Sequence, residues 1–83
     1  MTPEEYAKEH QKAFRTAFDF LNSHFPPGQD PEWWDKTAKE CSAASLKANE
    51  NKLAIELLCG VMVYLGHEYD RRYKNGKADN QAG

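Results

Sequence analysis

The chain has 83 residues, a net charge of −2, 40% hydrophobic and 29% charged residues, which suits one small folded domain and excludes a disordered chain. With no surplus of positive charge, no global field draws it to nucleic acid or to an anionic membrane. Two cysteines, Cys41 and Cys59, cannot supply the disulfide framework of a secreted mini-protein. They read as reduced, buried thiols in a cytoplasmic protein, whose acidic start (Met1-Thr2-Pro3-Glu4-Glu5) does not resemble a signal peptide.

Thr2-Pro3-Glu4-Glu5 predicts a helix start: Thr2 as cap, Pro3 at the first helical position and Glu5 closing a capping box. The first helix is expected from about Pro3 to about His24. Its stripe of Ala7, Phe14, Phe18, Leu21 and Phe25 is expected to face the core, with Tyr6, Ala13, Ala17 and Phe20 on its flank. Phe25-Pro26-Pro27-Gly28 cannot continue a helix.

Asp30-Pro31-Glu32 repeats the opening signal and predicts a second helix from about Pro31 to about Lys47. Small residues dominate its stripe (Thr37, Ala38, Cys41, Ser45, Ala48), and Trp34 is its one large anchor. The two asparagines of Ala48-Asn49-Glu50-Asn51 favour a turn. A single helix running on from Pro31 to Tyr73 is the alternative. With a turn, the second and third helices form the tighter hairpin, Cys41 level with Cys59 and Trp34 filling the space at Gly66, and the first helix lies across them.

The third helix is expected over about 51–75 and is the most apolar stretch of the chain. Ala54, Leu57, Leu58, Val61 and Leu65 share one face. The run from Leu53 to Leu65 is too short for a bilayer, which takes ~20 residues, so it is a core helix. The fold class is therefore all-α, a small three-helix bundle around a central apolar C-terminal helix, with a single domain over 1–76 and a flexible tail over 77–83.

Ile55, Cys59, Met62 and Val63 fall on the back of the third helix, where two neighbours cover it incompletely. They are the candidate partner-binding residues, for another protein or for a second copy in a homodimer. Coverage of this face by the first helix is the competing expectation. Arg71, Arg72, Lys74 and Lys77 form a basic cluster that could hold phosphates, although basic residues also complement a helix C-terminus. His67-Glu68-Tyr69-Asp70-Arg71 opens like a zinc-protease helix, but Arg71 stands where the second histidine belongs. No catalytic residue, metal site or cofactor is assigned.

With its TPEE start, its DPEWW second start and its NKLAIELLCGVMVYL helix, the chain resembles the small helical orphan proteins of bacteriophages and mobile elements. The resemblance implies a job done by binding: a non-enzymatic module that engages a host or phage protein, including inhibitors of bacterial defence systems. It shares no diagnostic motif and assigns no residue. An accessory nucleic-acid-binding role through the basic cluster is the alternative function.

Overall fold

The computed structural model describes residues 1–74, and the expected tail over 77–83 lies outside them. Three helices account for nearly all of the described chain: α1 (Pro3–Ser23), α2 (Pro31–Lys47) and α3 (Lys52–Tyr69), the last running into a single wide π turn over Asp70–Lys74. They form a three-helix bundle. No described helix is long and apolar enough to cross a membrane.

The helix boundaries follow from local chemistry. At the start of α1 the Glu5 amide donates to Thr2 Oγ1 at 3.2 Å, and the Thr2 amide donates to Glu5 Oε1 at 2.9 Å. Two otherwise orphaned donors are thereby satisfied. Hydrogen bonding from Thr2, from its backbone amide first and its side chain second, holds the Glu5 carboxyl below its usual range. Asp30 occupies the cap position of α2 with extended backbone but makes no side-chain capping bond; its carbonyl accepts from the Trp33 amide instead, at 3.0 Å.

The turn between α2 and α3 is real, which removes the single-long-helix alternative. Asn51 is its key residue. Its Oδ1 accepts from the Ala54 amide at 3.1 Å, capping α3, while its Nδ2 donates to the Glu9 carbonyl of α1 at 2.8 Å.

The helices run up, down and up, so α1 and α3 are parallel. Asn51 at the start of α3 meets Glu9, and Tyr64 near its far end stacks on Phe25, ring centroids 6.1 Å apart. The contact between α1 and α3 is more extensive than that between α2 and α3. This corrects two expectations: helices two and three are not the tighter pair, and α1 lies alongside α3 rather than across it. Alanines explain the closeness. Ala13 and Ala17 of α1 and Ala54 of α3 are buried at the centre, beside Leu58 and Leu65, and small side chains let helix axes approach.

The core-facing side of α1 also differs from expectation. Ala13, Ala17 and Phe20 are buried, while Phe14 and Phe18 are 60% and 57% exposed. The supposed flank is the core face, and the aromatic stripe points outward. On α3 the expected face holds, since Ala54, Leu58 and Leu65 are buried and Leu57 and Val61 half-buried. Phe20, Cys41 and Leu58 bring all three helices into one cluster, with Ala44, Val61 and Met62 packed against it.

Loop contacts lock the far end. The Trp34 indole donates to the Gly28 carbonyl at 3.0 Å, and the Tyr73 hydroxyl donates to the Pro27 carbonyl at 3.2 Å. His24 joins α1 to α2: it stacks on Phe20 at 4.0 Å, its Nδ1 donates to the Phe20 carbonyl at 2.7 Å, and its Nε2 lies 3.0 Å from Glu40 Oε1.

Candidate interaction surfaces

Small residues on α2 leave a gap beside α3. Ala38, Ser42 and Ser45 face Ile55, Cys59 and Met62 across an open groove of about 590 Å³. Three of the four residues expected to bind a partner are thus brought together in one groove. Val63 is not among them: it is 58% exposed on the outer back of α3. Leu46, at the end of the groove, is 76% exposed and was not anticipated as a contact residue. Its place on a polar stretch of α2 gave no periodic signal.

Cys41 sits in the floor of this groove and Cys59 on its rim. Burial pushes the Cys41 thiol up, the adjacent Cys59 adds to that, and a hydrogen bond with Ser45 opposes it. The Cys41 Sγ lies 3.9 Å from the Leu58 carbonyl, to which it can donate. A thiol held protonated in this way is a poor nucleophile. It behaves as a small apolar core residue.

The basic end is internally compensated. Arg71 grips Glu68 with two bonds, Nε to Oε2 at 2.9 Å and Nη2 to Oε1 at 2.8 Å. Arg72 Nε lies 3.5 Å from the same carboxylate, and Lys74 Nζ lies 3.7 Å from Asp70. The Arg72 guanidinium also sits over the Phe25 ring at 5.0 Å. The Arg71 hydrogen bonds hold the Glu68 carboxyl below its usual range and push the Arg71 guanidinium up. Arg71 and Arg72 stand three and four residues after Glu68, the helical spacing that brings both to one carboxylate. Lys77 lies outside the described residues.

Comparison of the chain with family models, curated proteins and solved structures yields no match.

His67 and Asp70 line an open cleft beside Trp34 and Tyr69, and Asp70 is already engaged by Lys74. Among the described residues no group of three or more histidine, cysteine or acidic side chains is placed to hold a metal ion. Gly66, expected to receive the Trp34 ring, has nothing within 4 Å of where its Cβ would be. Trp34 packs edge-on against Tyr69 instead, centroids 5.7 Å apart. The glycine that makes room for a tryptophan is Gly28, whose Cβ would lie 2.5 Å from Trp33 Cγ.

Proposed function

We propose that this chain is a non-enzymatic protein-binding module whose partner seats in the groove between α2 and α3. The observation that carries the reading is the groove itself: an open apolar trough with Ile55, Cys59 and Met62 along one wall and exposed Leu46 at its end. A trough of this kind suits an inserted apolar side chain or the apolar face of a helix. Its narrower form, inhibition of a host protein or of a bacterial defence system, rests on the resemblance to phage and mobile-element proteins alone. The nucleic-acid alternative has no comparable support, because Arg71, Arg72 and Lys74 each already face an acid.

Affinity capture from bacterial lysate tests the reading when paired with a groove variant. Leu46→Glu with Cys59→Arg alters two exposed positions and should leave the circular dichroism spectrum unchanged. A protein retained by the wild type and lost with the double variant is the expected result. Equal retention by both would end the proposal.

A further inference from the structure

We propose that the outward stripe of α1 is a contact surface for a second copy of this chain, packed antiparallel about a two-fold axis midway between Phe14 and Phe18, level with Thr16. The stripe is Ala7, Gln11, Phe14, Phe18, Leu21 and Phe25, spaced alternately four and three residues apart. That alternation is the seam of a coiled coil. It lies off the buried face: Phe14 and Phe18 are the most exposed rings in it, and Leu21 is half-buried at its inner margin. Phe25, just past the end of α1, continues it and stacks on Tyr64 of α3.

The stripe is a palindrome about Thr16. Phe14 and Phe18 stand two residues either side, Gln11 and Leu21 five, Ala7 and Phe25 nine. In an antiparallel pair, Phe14 therefore faces Phe18 of the second copy, Gln11 faces Leu21, and small Ala7 receives large Phe25. A two-fold contact requires this kind of self-complementary patch. Arg15 approaches its own counterpart across the axis, and its pairing with Asp19 within one copy, at 3.5 Å, offsets that approach. The single polar seam residue, Gln11, favours one register over its neighbours.

The exposed rings supply about half of the area that a dimer takes from each copy. Phe14, Phe18, Phe25 and Tyr64 are 60%, 57%, 37% and 44% exposed, which at ~200 Å² per aromatic side chain leaves roughly 400 Å² of ring surface in the open. Stable interfaces take ~800 Å² from each partner. Half-buried Leu57 on α3 and exposed Arg15 and Asn22 on α1 extend the patch toward that figure. The contact differs from pairing through the back of α3, because Val63 lies on another side of that helix.

Sedimentation of the full chain at micromolar concentration should give twice the 9.5 kDa chain mass. Phe14→Ser with Phe18→Ser should halve that mass while the circular dichroism spectrum stays unchanged. Orientation is read by oxidative cross-linking in a Cys59→Ser background. Lys8→Cys chains mixed with Asn22→Cys chains should link, and neither should link to itself. A wild type of single-chain mass overturns the proposal. So does a dimer that survives both serines, or Lys8→Cys chains that link to one another as a parallel pair would.

Discussion

Asn51 carries two jobs with one amide, as the cap of α3 and as a donor to the backbone of α1. Removing a cap costs about 1 kcal/mol, and losing a net hydrogen bond about 1 kcal/mol more. Asn51→Ala should therefore lower stability by about 2 kcal/mol, seen as a fall in Tm of roughly 8–16 °C for a domain of this size. Asn51→Asp keeps the capping oxygen but cannot donate to Glu9, so its cost should be smaller than that of alanine. Equal costs would show that the capping oxygen contributes nothing, and an aspartate variant as stable as the wild type would show the same of the link to α1. The glycines divide in the same concrete way. At Gly28 a methyl group would run into the Trp33 side chain, so Gly28→Ala should destabilise by about 1–3 kcal/mol, as overpacking does, and disturb tryptophan fluorescence. At Gly60 nothing stands in the way, and Gly60→Ala should raise the urea midpoint through helix propensity, by up to ~1 kcal/mol.

The ion pairs at the end of α3 make a further prediction at this scale. Glu68 and Glu5 are held below the usual glutamate range in the folded chain, so the unfolded chain takes up their protons first as pH falls. Their contribution is fully present above the ordinary glutamate range and is lost as pH falls through the lowered values. Urea midpoints for the wild type and Glu68→Gln should differ at neutral pH and converge in acid. A gap that persists unchanged in acid would assign the effect of Glu68 to packing.

At the scale of elements, the close pairing of α1 with α3 rests on alanine. Ala13 is fully buried, so Ala13→Leu should cost about 1–3 kcal/mol by forcing the helices apart. Phe18→Ser, which removes a far larger side chain from an exposed site, should leave the unfolding free energy of the single chain within about 0.5 kcal/mol. Denaturation measured at concentrations low enough to dissociate any dimer compares them. The contrast marks where sequence reading reached its limit. Caps, prolines and paired asparagines marked all three helices and the turn at Asn51, because those signals are local. The core face of α3 was legible too, since its opposite side carries Glu56 and His67. On α1 both stripes are apolar, and size favours the aromatic one. Only the short approach between parallel helices, a property of two elements together, puts the alanines inside. The candidate groove was half legible for the same reason. Ile55, Cys59 and Met62 follow from periodicity on α3, whereas Leu46 and the exclusion of Val63 depend on where α2 lies.

At the scale of the whole molecule, the bundle is organised around α3, which touches α1 on one side and α2 on the other. Its two outer edges differ in kind. One is an open trough between α2 and α3, and the other is a stripe of rings along α1 and Tyr64. Because the two edges sit on opposite flanks of α3, occupying one leaves the other free. Two copies joined along α1 would hold their troughs outward, one on each side of the axis, like a coupler with two sockets. Each trough could be individually weak and still hold a partner that displays two copies of the same epitope, since the second engagement is intramolecular and governed by effective concentration. Retention on such a repeated target would then drop steeply for Phe14→Ser with Phe18→Ser, although neither residue touches the trough, while binding to a single epitope would stay the same.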